Sequence, residues 1–192
     1  MSFEFRRQSI PEVVLIRAKQ FNDDRGYFME LHRRSAFESL GLELNFVQYN
    51  CSRSKRGVLR GLHYQLRPYE QGKLVTVIGN GRIFDVAVDI RAGSPTFGRW
   101  AGAELRGGLM LWVPPGFAHG FLALEDDIHV LYGVTGAEYR REAERGIAWN
   151  DPGIGIAWPG EHPIVSSKDA ALPPLKNAEV NFVYAREGGL KA

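Results

Sequence analysis

Short runs of β-branched and aromatic residues, cut apart by glycine and proline, recur along almost the whole chain and limit what it can fold into. The 22 glycines and 10 prolines are scattered rather than clustered, a pattern that favours many short strands over long helices. It predicts strands at Val13–Ala18, Gly26–His32, Leu44–Ser52, Val58–Gln65, Lys73–Gly79, Arg82–Ile90, Arg99–Leu105, Leu109–Val113, His119–Leu124 and Ile128–Val134. So many closely spaced strands favour an all-β, closed or double-sheet jelly roll over a single open sheet, because closure removes exposed edges. The segment 73–90, KLVTVIGNGRIFDVAVDI, reads as a hairpin in which Gly79-Asn80-Gly81 tolerates positive φ. The best helical candidate is Ser35–Gly41, with Ser35 as cap, Glu38 completing a capping box and Gly41 as the stop.

A length of 192 residues suits one domain, residues 1–192. Proline and glycine rise after about Gly153, so an irregular C-terminal segment should wrap the barrel, and the tail AREGGLKA (185–192) reads as frayed. The 24 Lys plus Arg balance 22 Asp plus Glu, and a net charge of +2 offers no general attraction for nucleic acid or a membrane surface. A single cysteine, Cys51, rules out an internal disulfide framework and fits a reducing compartment. With neither a leader-type apolar stretch nor a run of membrane-spanning length, the expectation is a soluble cytoplasmic protein.

Residues two apart on a strand share a face. Phe28, Glu30 and His32 would share one; Gln48, Asn50 and Ser52 another; His63 and Gln65 a third; Asp85 and Asp89 a fourth. Such faces can simply look at solvent. Solvent faces, however, are usually Lys, Glu, Thr and Ser, whereas these offer amides, imidazoles and aromatic rings. That set suits a barrel lining that hydrogen-bonds and stacks on a nucleotide or sugar.

Four segments carry chemistry. In RGLHYQ (60–65), Arg60, His63 and Gln65 lie within one short strand and Lys73 opens the next. Cations close to His63 would favour its neutral imidazole, able to take a proton near neutral pH, although a structural histidine is an equal reading. In PPGFAHGF (114–121) the prolines and glycines fix a turn that should present His119 at a strand start, as in the second half of a cupin metal motif. The first half is missing its histidine pair: no two of His32, His63, His119, His129 and His162 have the spacing of metal ligands, so no metal is expected. In the third segment, LYGVTGAEYRREAERGIAWNDP (131–152), Tyr132 sits in an apolar strand and its hydroxyl would need a partner. The charges from Arg140 to Arg145 read as a solvated face, and in the fourth segment, SSKDAALPPL (166–175), Lys168-Asp169 read as a loop or capped turn before two prolines.

Together these segments resemble the dTDP-4-dehydrorhamnose 3,5-epimerase family. The likeness runs from about Ile10 to Leu175 and is carried in order by DDRGYFME (23–30), FVQYNCSRSKRGVLRGLHYQ (46–65), QGKLV (71–75), FDVAVDIRAGSPTFG (84–98), LWVPPGFAHGF (111–121), LY (131–132), ERGIAWNDP (144–152), GIAWP (155–159) and SSKD (166–169). The resemblance implies a homodimeric double-stranded β-helix, a cupin-type jelly roll with a few short helices. It implies inversion of C3 and C5 of dTDP-4-dehydro-6-deoxy-D-glucose with no metal or cofactor.

By match to the family's motifs, His63 resembles the general base, oriented by Asp169, and Tyr132 the acid on the opposite face. Lys73 resembles the group that holds the enolate oxygen, with the substrate contact His119 nearby. Arg25, Arg60 and Lys168 resemble phosphate and nucleotide contacts. Glu30, Gln48 and Asn50 resemble base and sugar contacts, with Phe28 on the face of Glu30 as a further substrate-binding candidate. Tyr139 resembles the thymine-stacking ring, and Glu144 a further substrate contact. One departure is the segment from Tyr132 to Tyr139, YGVTGAEY, which is one residue longer than the family's common pattern and bears on the stacking role of Tyr139.

The chemistry agrees with these residues. A C4 ketone makes the protons on C3 and C5 removable, and inversion needs one to leave one face and another to return on the opposite face. That calls for two groups, such as His63 and Tyr132, and a positive donor such as Lys73 for the enolate. An epimerase of C3 alone or C5 alone would share these residues. A metal cupin and a non-catalytic sugar-binding jelly roll are the readings from other classes.

Overall fold

The computed structural model describes residues 2–185. In chain order the strands begin with β1 (Phe3–Arg7), β2 (Val14–Ala18), β3 (Gln20–Asp23) and β4 (Gly26–Met29), and after helix α1 (Arg34–Glu38) comes β5 (Phe46–Ser54). Next are β6 (Leu59–Gln65), β7 (Gln71–Ile78), β8 (Ile83–Asp89), β9 (Trp100–Leu105) and β10 (Leu109–Val113). The last are β11 (Phe117–Ala123), β12 (Ile128–Gly136) and β13 (Glu144–Gly146), followed by α2 (Ser167–Ala170) and a 3-10 turn at Leu175–Asn177. Among the described residues no helix is long and apolar enough to cross a membrane.

The strands form a jelly roll of two facing antiparallel sheets, one in the order β1-β2-β10-β7-β12-β5 and the other β13-β6-β11-β8-β9. Val75, Val77, Leu111, Ile128 and Val130 of the first sheet meet Ile83, Ala87, Leu105, Phe117 and Phe121 of the second in a shared apolar layer. The outer face of the six-stranded sheet is covered by α1 and its flanks, where Phe37, Leu42 and Leu44 close over Val14, Ile16, Leu74 and Met110. The outer face of the five-stranded sheet is covered by the chain after β13, with Ile147, Ile154 and Phe182 on Leu62, Tyr64, Val86 and Val88. Burial on both faces explains why β8, β10 and β11 read as nearly unbroken apolar runs.

Several expectations need correction. The 73–90 segment is not a hairpin: β7 pairs with β10 and β12, whereas β8 pairs with β11 and β9. Gly79 and Gly81, at φ 75° and 115°, instead turn the chain from one sheet to the other. Alternation and positive-φ glycines require only a sharp reversal. Stacking Val75 and Val77 against Ile83 and Ala87 buries more apolar surface than setting the runs side by side would. The strand expected over Gly26–His32 stops at Met29 and pairs only with β3, in a two-stranded ribbon outside both sheets. His32 therefore lies beyond it, its ring edge-on to Phe37 and Phe46 at centroid distances of 4.6 and 4.9 Å.

The helix begins at Arg34 with no side-chain cap, so Ser35 lies within its first turn rather than capping it. Gly41 does stop it: at φ 75° it donates to Glu38 O, and Leu42 donates to Phe37 O, the two bonds of a Schellman ending. The 153–185 region carries only α2 and the 3-10 turn as regular elements and is tied down by backbone bonds from Leu59 N–H to Ile164 O and from Ala92 N–H to Phe182 O. Of the tail 185–192, all but its first residue lies outside the described residues.

Candidate active site

Between the sheets, apolar packing gives way at one end to a cavity of about 510 Å³. The alternation that fills the core also lines this cavity. Along β7, the face that buries Val77 and Val75 next presents Lys73; along β12, the face of Ile128 and Val130 next presents Tyr132. On β11, His119 takes the inward position before Phe121, and on β6, His63 faces inward while Leu62 and Tyr64 pack outward. His119 is thus inside its strand, not at the start, because β11 begins at Phe117.

His63 and His119 sit opposite each other across β6 and β11, where the register shifts between His119 and Phe121. Glycine allows this close approach. A Cβ on Gly61 would lie 2.6 Å from the Cα of Gly120, and Gly61 has a φ of +130°.

His63 Nε2 is 2.8 Å from Asp169 Oδ1. Asp169 reaches it from α2, where the Ser166 side chain caps the Asp169 N–H, and its second oxygen accepts from Gly61 N–H at 3.3 Å. Burial works against ionising this carboxyl, but the bonds from His63, Gly61 and Ser166 outweigh burial and hold it below the usual carboxylate range. An ionised carboxylate only accepts, so the network assigns the hydrogen to Nε2 and leaves the lone pair on Nδ1. Expected cations around His63 are thus joined by carboxylates: Asp169 in contact and Glu144 within electrostatic range.

From the opposite sheet, Tyr132 shares a 2.9 Å hydrogen bond with Ser52. Its ring stands edge-on to His119 at a centroid distance of 6.2 Å. Burial pushes the phenol well above the usual tyrosine value, against the pull of the Ser52 bond. Lys73 makes no hydrogen bond or ion pair among the described residues, so its ammonium meets the cavity with its donors free. Burial brings it down to about 8, while Asp85 and Glu144 act to raise it. Asp85 is fully buried, binds His119 Nε2 at 2.8 Å and is pushed up by that burial.

The rim is ordered by amides and ions. Tyr139 donates from its N–H to Gln48 Oε1 and from its hydroxyl to Glu144 Oε2, each at 2.8 Å. Gln48 in turn donates to Asn50. Glu144 pairs with Lys168 at 2.6 Å, and it sits on β13 beside β6 rather than on the solvated face that its charge run suggested. Gln65 is buried and accepts from Arg140 N–H while donating to Tyr69 O, so it pins the 137–140 loop. Arg60 is anchored through Nε to Ser54 Oγ at 3.1 Å.

Of the sequence-predicted residues, His63, Lys73, Tyr132, Asp169, Asn50, Arg60, His119, Tyr139, Glu144 and Lys168 all line the cavity, with Gln48 one hydrogen bond away. Arg25, Phe28 and Glu30 do not. They lie on or beside the β3–β4 ribbon, where Phe28 is 67% exposed, Arg25 pairs with Asp23 and Glu30 with Arg33. Ser52 and Asp85 were legible as polar positions on strand faces, but nothing in the sequence linked them to Tyr132 and His119.

The family model for dTDP-4-dehydrorhamnose 3,5-epimerase matches residues 7–177. The chain is 49% identical over 166 residues to the dTDP-4-dehydrorhamnose 3,5-epimerase of Shigella flexneri, covering 85% of this chain and 91% of the relative. It is 48% identical over 183 residues to that of Methanothermobacter thermautotrophicus, covering 93% and 97%. Among solved structures, dTDP-6-deoxy-D-glucose-3,5-epimerase from Legionella pneumophila, in complex with dTDP-4-keto-L-rhamnose, superposes with a TM-score of 0.90 at 43% identity over 95% of this chain and 100% of that one. An imidazole, a phenol and a free ammonium gathered in one cavity, on a chain matched over this length, leave one assignment: the protein belongs to the dTDP-4-dehydrorhamnose 3,5-epimerase family.

Proposed function

We propose that this chain inverts C3 and C5 of dTDP-4-dehydro-6-deoxy-D-glucose to give dTDP-4-dehydro-L-rhamnose. The observation that carries the reading is that His63 and Tyr132 enter one cavity from opposite sheets, with Lys73, unpaired among the described residues, lining the same cavity. His63 takes the proton beside the ketone through Nδ1, with Asp169 holding the ring and balancing the imidazolium. The electrons move into the C4 oxygen, where the Lys73 ammonium meets the enolate. Tyr132 then delivers a proton to the opposite face of the carbon. None of these steps needs a redox cofactor, because the substrate brings the ketone.

Arg60, Lys168 and His119 suit the diphosphate and sugar, and Tyr139, placed at the rim by Gln48, suits the base. Arg25, Phe28 and Glu30 could serve the nucleotide only in another copy's cavity. This supports a homodimer in which each β3–β4 ribbon completes its neighbour's site. The single apolar layer between the sheets supports one domain, and the balanced charge and lone cysteine support a cytoplasmic home.

Incubation with the keto sugar in D2O, followed by NMR, is expected to place deuterium at both C3 and C5. Label at one carbon would make the protein a single-position epimerase, and label at neither would reject the reading.

A further inference from the structure

We infer that Ser52 is a positioning residue for Tyr132: its hydroxyl holds the phenol for proton delivery and returns a proton to the phenolate left behind. This rests on the reading of His63 and Tyr132 given above. The Tyr132–Ser52 bond of 2.9 Å is the phenol's hydrogen bond among the described residues, and it crosses from β12 to β5. Ser52 pairs in register with Val130 rather than Tyr132, so the phenol leans diagonally along the sheet to reach it. Ser52 is half-buried on the edge strand of its sheet, on the same face as Asn50 at the cavity.

Proton accounting gives such a group a role. In one inversion His63 gains the proton taken from carbon, and Tyr132 loses the proton given to the other face. The enzyme is left as imidazolium and phenolate, and the second carbon cannot be inverted until both are reset. The imidazolium releases its proton to water. The phenolate lies in a buried setting that disfavours its charge. Ser52 can donate its hydroxyl proton to the phenolate oxygen while its own oxygen accepts a proton from water. The two transfers balance, and no other reactant is consumed.

The test compares Ser52→Ala and Ser52→Thr with the unaltered protein by time-resolved NMR of the keto sugar in D2O. Loss of the hydroxyl is expected to slow turnover by ~10–100-fold, at or below the lower end of proton-transfer effects. It should also let singly inverted, singly labelled sugar accumulate, which a mere packing defect would not do. Threonine keeps the hydroxyl and should restore doubly labelled product to within a few fold. A Ser52→Ala protein with normal rate and labelling would overturn the proposal, as would a threonine variant as impaired as the alanine one. Absence of label with the unaltered protein would instead bring down the epimerase reading itself, and this proposal with it.

Discussion

Replacing His63 by Asn is expected to lower kcat by about 10³-fold, within the 10²–10⁴ range of a positioned general base, while dTDP affinity stays within a few fold. Asparagine is the informative choice because its amide can still donate to Asp169. That carboxylate is only 5% exposed, and alanine would leave it without its main partner, mixing a stability defect of about 1–3 kcal/mol into the result. Turnover measured beside calorimetric dTDP binding separates the two effects. Survival of near-normal turnover would remove His63 from the mechanism, since among the cavity's histidines His119 is already engaged by Asp85.

Replacing Lys73 by Met should cost about 10²–10³-fold in kcat, the scale of losing one preorganised donor to a developing oxyanion. The ammonium form is the useful one. Because burial brings Lys73 down to about 8, activity of the unaltered protein should fall as pH rises through about 8, and the variant's residual activity should lack that limb. Stability should move the other way. A lysine with a depressed folded-state pKa binds fewer protons folded than unfolded, so it opposes folding below about 8 and the penalty fades as pH climbs toward the ordinary lysine value. Methionine removes that penalty. Screened by water in the open cavity, the gain at neutral pH is on the order of 1–2 kcal/mol. A less active, more heat-resistant variant is therefore expected from pH–rate profiles and thermal melts. A less active variant whose melting temperature falls would contradict this account of Lys73.

Much of the fold was legible because strand alternation is a local property. Leu109–Val113 has the expected limits, and most other strands shift by one to three residues. Pairing was not legible in the same way. KLVTVIGNGRIFDVAVDI satisfies a hairpin and an inter-sheet corner equally, and only the apolar layer shared by β7 and β8 decides between them. Within the site, Tyr132 stood out as a phenol in an apolar strand, whereas the roles of His63, His119 and Lys73 rested on the family's motifs. Glu144 was legible only through the family's motifs, because the charge run around it reads as a solvated face. Arg25, Phe28 and Glu30 carry family-like motifs, yet a ribbon outside both sheets keeps them from the cavity of their own chain.

The residue that aims His63 comes from far along the chain. Asp169 stands on α2, in the irregular strap that closes over the five-stranded sheet, 106 positions after the imidazole it holds. If the sheets form before the strap docks, the ring stays unaimed until Asp169 arrives. Recovery of turnover should then trail recovery of the β-sheet signal, so that activity reports the last docking event of folding.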